Sequence, residues 1–243
     1  KYAQLLIDSS SSKEQEKLLF KEQKEYTSLF EEYQNKEYDY VLNITEQKLQ
    51  DSLNPFYCKY AMLNAYAIGK TTNIKDSLEG LIKVLKAVSR DCRGSESGEH
   101  ADKILKQLLS SKAESQKSEG VSNFSYDPNK QHFFLLFAPK GSIDLIQAKN
   151  SIANFNRASF SKDNLKTSSS FLNTSDQMIF VKSFKNSYDA MDYYTAFRVN
   201  KGSLDVLQSQ KYFIITAENL KELYLEKKVD NYENYFNEFY TLE

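Results

Sequence analysis

Apolar positions recur along this chain with two different periods, and the change from one to the other falls near residue 130. Before it, the spacing is that of helix faces, at i, i+3, i+4 and i+7. Leu18, Leu19, Leu29, Phe30 and Tyr33 predict the inward stripe of a first helix, capped by Ser12 or a neighbouring Ser and ending at about Gln34. Val41 and Ile44 predict a second over residues 39–49. A third, over 55–69, has Pro55 in its first turn, Gly69 as its C-cap, and a small-residue stripe of Ala61, Ala65 and Ile68. The fourth, over 75–90, carries Leu78, Leu81, Ile82, Leu85 and Val88. The fifth, over 98–109, carries Ala101, Ile104, Leu105 and Leu108. Short connections between helices of this length predict antiparallel hairpins.

Residues 111–130 are rich in Ser, Lys and Glu and have no period, so they read as a linker, mobile up to about Ser122. Phe124 and Tyr126 are its two residues suited to docking on the next domain. From Gln131 the pattern becomes that of strands: QHFFLLFA over 131–138, then residues 165–172, 177–184 and 211–216. Between the first two, Ser142 is placed to cap a helix with Leu145, Ala148, Ile152 and Phe155 on one face. Asn173–Asp176 closes a hairpin between the second and third strands. After the third strand, Lys185-Asn186-Ser187 turns into a helix whose face is Ala190, Tyr193, Tyr194 and Phe197. A loop containing Gly202 leads to the fourth strand. Two short helices come last, over about 218–227 and from about Asp230, the latter with Tyr232, Tyr235, Phe236 and Phe239 on one face. The predicted class is therefore α+β: TPR-like antiparallel helical hairpins over 1–110, a linker over 111–130, and a ferredoxin-like βαββαβ module with a helical tail over 131–243.

A four-stranded antiparallel sheet with helices on one side ordinarily keeps its other face polar. Here the third strand turns Ile179 and Val181 one way and Met178, Phe180 and Lys182 the other. The first turns Phe133, Leu135 and Phe137 one way and His132, Phe134 and Leu136 the other. Both faces are apolar at the centre, so the second face needs a cover. Three candidates exist: the C-terminal aromatic helix, the N-terminal helices, or another molecule. If the cover is a partner, the contact set is Phe134, Leu136, Met178, Phe180 and Lys182. Tyr60, Asn64 and Tyr66 form a second candidate surface in the helical groove.

Composition narrows the function classes. The net charge of −1 argues against a general nucleic-acid binder. Residues 131–216 carry 10 Lys/Arg against 6 Asp/Glu, and residues 217–243 carry 3 against 7, so a mildly basic module precedes an acidic tail. No run approaches the roughly 20 apolar residues of a membrane-spanning helix, and the first residues lack the features of a signal peptide. Cys58 and Cys92 are the only cysteines and form no CxxC pair. Buried free thiols are the preferred reading, with a Cys58–Cys92 disulfide as the alternative in an oxidising compartment. His100 lies among Glu96, Glu99 and Asp102 and reads as solvated, while His132 opens a strand with no acidic neighbour suited to a site. Phosphate-loop, dinucleotide, zincin and nucleophile-elbow patterns are absent from the sequence. Ser168-Ser169-Ser170 has no adjacent base. The expectation is a protein that is not an enzyme and takes no metal or cofactor.

Three segments, QHFFLLFAPKGSIDLIQAKNSIANFN, LKTSSSFLNTSDQMIFVKSFKNSYDAMDYY and YFIITAENLKELY, together with the repeat-like helices before residue 110, resemble the C-terminal part of the PorW/SprE-type tetratricopeptide lipoproteins of the type IX secretion and gliding machinery. Within it, Tyr60–Val88 resembles a tetratricopeptide unit, with small Ala65 at the helix approach and a turn at Gly69–Asn73, although the consensus Trp and the helix-ending Pro are missing. The resemblance implies a periplasmic scaffold anchored by lipid to the outer membrane, coupling secretion-apparatus proteins through protein–protein contacts, with this chain as a C-terminal fragment that lacks the targeting segment. The βαββαβ module also resembles SPOR domains, on Val181, Phe184, Ala190 and Tyr193-Tyr194, which implies peptidoglycan binding as the alternative function. In place of the Arg, Gln and Gly that such domains offer to glycan, this chain has Met178, Phe180 and Lys182.

Overall fold

A computed structural model describes residues 2–71, 74–200 and 204–241. The protein is α+β, a helical N-terminal part followed by a four-stranded antiparallel sheet with helices. It divides into two compact units, Lys1–Leu108 and Leu109–Thr241. The expected turn residues Thr72 and Asn73 and the expected loop residue Gly202 lie outside the described residues.

The helical unit contains α1 (Tyr2–Gln34), α2 (Tyr38–Lys48), α3 (Tyr57–Thr71), α4 (Ile74–Asp91) and the first part of α5 (Glu96–Ser118). Its core gathers Leu29, Val41, Phe56, Tyr60, Leu63 and Ala67, with Tyr26, Phe30 and Tyr33 packed against them. Helix α1 runs straight through Ser12, so that residue is not a cap. Leu18 and Leu19, expected inside, are about half exposed. Gly69 is not a C-cap either, because α3 continues to Thr71. A Cβ there would meet Leu81 of α4 at 3.5 Å, so its role is close approach of two helices. Gly98 has the stricter constraint: a Cβ would lie 2.2 Å from the Cys92 carbonyl oxygen. That carbonyl also accepts from the Ser95 hydroxyl, whose oxygen accepts in turn from the Gly98 N–H at 3.2 Å. The turn between α4 and α5 is thus closed by hydrogen bonds that leave no room for a side chain.

Cys58 and Cys92 are disulfide-bonded, and no free cysteine remains. The preference for free thiols is overturned. The two Cα atoms stand 5.7 Å apart, inside the range a bridge requires. The proximity comes from the α3–α4 hairpin, which brings the start of α3 beside the end of α4 across 34 residues of sequence.

The second unit holds β1 (His132–Pro139), α6 (Leu145–Ser159), β2 (Lys166–Phe171), β3 (Asp176–Phe184), α7 (Ser187–Val199), α8 (Asp205–Gln208), β4 (Lys211–Thr216), α9 (Ala217–Glu226) and α10 (Val229–Tyr240). The strands order β2-β3-β1-β4, every neighbour antiparallel. Helix α6 is capped by Asp144, whose carboxylate accepts from the N–H groups of Ile146 and Gln147. The expected cap, Ser142, instead donates to the Pro139 carbonyl. Asn186 caps α7 and Thr216 caps α9, each accepting from an N–H within the first turn.

The segment expected as a mobile linker is built into this unit. Residues 111–118 continue α5, and Phe124 and Tyr126 are buried. Phe124 packs edge-on to Tyr232 at 4.8 Å, and Tyr126 lies 5.8 Å from Phe239. Lys112 pairs with Glu238 at 2.7 Å. The Asn219 side chain, fully buried, accepts from Ser125 N–H and donates to Ser125 C=O, so one amide satisfies both backbone groups of that residue. The docking of Phe124 and Tyr126 is as expected, whereas the helix over 111–118 is not, because its residues show no apolar period.

The packing sets two expected outcomes. A Cys58→Ser/Cys92→Ser chain unfolds at lower denaturant than the oxidised protein, by about 2–4 kcal/mol for a loop of this size; equal midpoints would show the bridge is thermodynamically idle. Among the described residues the buried Tyr235 hydroxyl makes no hydrogen bond of good geometry, although the Asn219 side chain is close enough to act on it, and that amide is already engaged with Ser125, so Tyr235→Phe raises the unfolding free energy by about 1 kcal/mol, since it removes a poorly satisfied desolvated group without leaving a cavity.

Candidate functional site

The sheet register decides what each face can do. Leu135 sits opposite Phe180 on one side and Phe213 on the other, and Phe137 sits opposite Met178. Directly paired residues share a face. Phe213 meets Tyr232 at 4.9 Å and Phe236 at 6.1 Å, so this face looks toward α10. Phe134 pairs with Val181 and Ile214, and Leu136 with Ile179 and Tyr212. Phe134 meets Tyr193 at 5.0 Å and Phe197 at 4.8 Å, so this opposite face looks toward α7.

The expected contact set therefore separates. Phe134 and Leu136 belong to the α7 face, Met178 and Phe180 to the α10 face, and all four are buried by the protein's own helices. Alternation is as expected over Phe134–Phe137 and Met178–Val181, but a register shift between His132 and Phe134 interrupts it, so that His132, expected on the face of Phe134, contacts Tyr240 of α10; the register between strands, which one-residue slips invert, is invisible to alternation. Lys182 alone of that set is exposed. The cover of the second face is the C-terminal aromatic helix, one of the three candidates. Tyr232, Tyr235, Phe236, Phe239 and Tyr240 of α10 are all buried. Full burial of such a side chain contributes roughly 1.5–3 kcal/mol. That outweighs the poor helix propensity of a sequence with three Asn and five aromatics in twelve residues. Helix α9 adds Tyr224, whose hydroxyl reaches the Ser170 hydroxyl on β2 at 3.4 Å.

The helical-groove residues are structural in the same way. The Tyr60 hydroxyl donates to a Glu22 carboxylate oxygen at 2.9 Å, and the Lys48 ammonium sits 2.9 Å from both Glu22 oxygens and also pairs with Glu25. Burial pushes the Glu22 pKa up, but hydrogen bonds from Asn54, Lys48 and Tyr60 outweigh it and hold it below the ordinary carboxylate value. Burial and the carboxylate together push the Tyr60 phenol far up, so it stays a donor. Asn64 donates to the Thr45 hydroxyl at 2.9 Å, which donates to the Val41 carbonyl at 2.8 Å. Tyr66 is half-buried between Tyr33 and His100. These residues tie α3 to α1 and α2.

His132, expected to open a strand with no acidic neighbour suited to a site, is fully buried at that strand's start. Its Nδ1 contacts the Lys130 carbonyl at 2.8 Å and its Nε2 the Tyr240 hydroxyl at 3.0 Å. A carbonyl only accepts, so Nδ1 carries the proton and Nε2 accepts from Tyr240. Burial lowers its pKa, against the partial opposition of the Lys130 carbonyl, Asp127 and Glu218. At the far end of the sheet a cleft of about 550 Å³ opens beside Gln210, Lys211 and the Lys227–Asn231 turn. Lys211 is paired there with Asp230 and Glu233, and the cleft mixes both signs of charge. Among the described residues no group of three or more His, Cys, Asp and Glu side chains is placed to hold a metal ion, and no helix is long and apolar enough to cross a membrane.

Comparison with protein-family models, with curated proteins and with solved structures found no match to this chain.

The buried imidazole sets a pH dependence. A His whose folded pKa is depressed leaves the folded state fully favoured above the unfolded value of about 6.5, and stability is lost as pH falls from there through the folded pKa. Denaturation of the chain at about pH 7.5 and about pH 5.5 is expected to show the second unit weakened at the lower pH by on the order of 1 kcal/mol. His132→Gln, neutral and still able to hydrogen-bond, flattens that dependence; an unchanged slope in the variant would assign the effect to other groups.

Proposed function

We propose that this chain is a non-enzymatic scaffold of the type IX secretion and gliding apparatus, held in the periplasm as part of an outer-membrane-anchored lipoprotein, where it couples other apparatus proteins through protein–protein contacts. The observation that carries the placement is the Cys58–Cys92 disulfide, because such bonds persist in oxidising compartments and are rare in the cytosol. The finer architecture is part of the same reading. Helices α2, α3 and α4 act as TPR-like antiparallel hairpins, with Gly69 and Gly80 admitting Leu81 and Ile68 at the α3–α4 approach. The βαββαβ order with strands β2-β3-β1-β4 supports a ferredoxin-like, SPOR-like layer, to which α9 and α10 add a second helical side.

A protein partner is favoured over peptidoglycan. The sheet face that a SPOR-type module would offer to glycan is occupied by α10 and its five buried aromatics. Contact then falls to the remaining exposed surfaces.

The test is made in cells carrying the full-length protein. The proposal expects fractionation with the outer membrane, both cysteines blocked to alkylation until a reductant is added, crosslinking to secretion-apparatus components, and loss of cargo secretion on deletion of the gene. Free thiols in freshly quenched cells, or secretion intact without the protein, would overturn it.

A further inference from the structure

The two edges of the sheet are treated differently by the fold. An edge strand presents unpaired N–H and C=O groups, and proteins ordinarily cover or blunt them. At β4 this is done: the Tyr232 hydroxyl donates to the Ile214 carbonyl at 2.8 Å, and Tyr194 brackets the strand, 5.3 Å from Tyr212 and 5.1 Å from Phe236. At β2 the strand KTSSSF has no neighbour beyond it in the sheet, and Lys166, Ser169, Ser170 and Phe171 are exposed. The strand itself contains no proline, bulge or inward charge to close it.

The charges beside this edge are unbalanced as well. Lys166 lies directly opposite Lys182 in the register, so two exposed lysines leave the same face of adjacent strands from neighbouring positions. Like charges in direct opposition destabilise a sheet. Among the described residues neither lysine forms an ion pair. At the other end of β2, Phe171 is 53% exposed and, five residues from Lys166, points to the opposite face.

We infer that β2 is the docking edge of the sheet, and that its occupant is an extended segment of a partner protein that adds as a fifth strand with a carboxylate set against Lys166 and Lys182 and an apolar side chain against Phe171. The inference rests on the scaffold reading and gives it a surface. Backbone pairing supplies the attachment. The lysine pair selects an acidic strand over a basic or neutral one, because a carboxylate arriving beside Lys166 meets two exposed cations on one face of the sheet. The displacement of five residues, an odd number, fixes the acidic and apolar positions on opposite faces of the incoming strand. Lys182 is the one exposed member of the expected contact set.

The probe is a short Thr/Val peptide with Glu and Leu placed to meet Lys166 and Phe171, added to the whole oxidised chain and followed by amide hydrogen exchange. Protection is expected at residues 166–171, weakening as salt is raised. Lys166→Glu/Lys182→Glu is expected to weaken binding by about fivefold or more and to turn the preference toward a Lys-for-Glu peptide. Lys185→Glu, on the turn beyond β3, serves as the charge control and leaves binding unchanged. Protection elsewhere than β2, none at millimolar peptide, or protection indifferent to the double reversal would overturn the inference. In cells, a doubly reversed protein that still crosslinks to the same components overturns this surface and leaves the scaffold reading intact. A wild-type protein that crosslinks to none of them removes the scaffold reading, and the peptide measurement still decides the edge.

Discussion

A sheet that is apolar on both faces is the constraint on which the second unit depends. Alternation normally gives a strand one dry side and one wet side. β1 and β3 have two dry sides, so the unit is stable only as three layers. Helices α6 and α7 supply one cover and α9 and α10 the other. The requirement extends further than the helices themselves. Tyr235 and Phe239 of α10 face Phe124 and Tyr126, which explains why the stretch before β1 is fixed in place by Asn219 and Lys112 instead of hanging loose. Covering one greasy surface with an aromatic helix creates a second one, and the residues before the sheet complete the seal.

The helical unit solves a different problem. Its core is built from aromatic side chains around a buried carboxylate, and Glu22 is tolerated because Tyr60, Lys48 and Asn54 satisfy it. A buried ion pair of this kind is weak support for stability. Its contacts join one turn of α1 to Lys48 of α2 and Tyr60 of α3.

Element type is legible in the sequence wherever the period is long and regular. The β4 boundaries and the start of α7 match the pattern to the residue, and the class α+β with a four-stranded antiparallel sheet is visible from the switch of period near 130. What periodicity cannot carry escapes it for physical reasons. Phe134 and Leu136 group with Met178 and Phe180 on pattern alone, because pattern gives alternation and not cross-strand register. Residues 111–118 read as linker because the helix there shows only one wide-spaced apolar contact, Ala113, among charges. The disulfide depends on the hairpin geometry of α3 and α4, which sequence separation does not encode. The signal that His132 is special lies in its position between a strand start and Tyr240, 108 residues away.

The guarded β4 edge limits what this sheet can assemble into. A platform with two open sides can polymerise, each copy templating the next in a fibre. With the Ile214 carbonyl already taken by Tyr232, growth is possible on one flank only, so association through the strands terminates after a single addition and stays finite in stoichiometry.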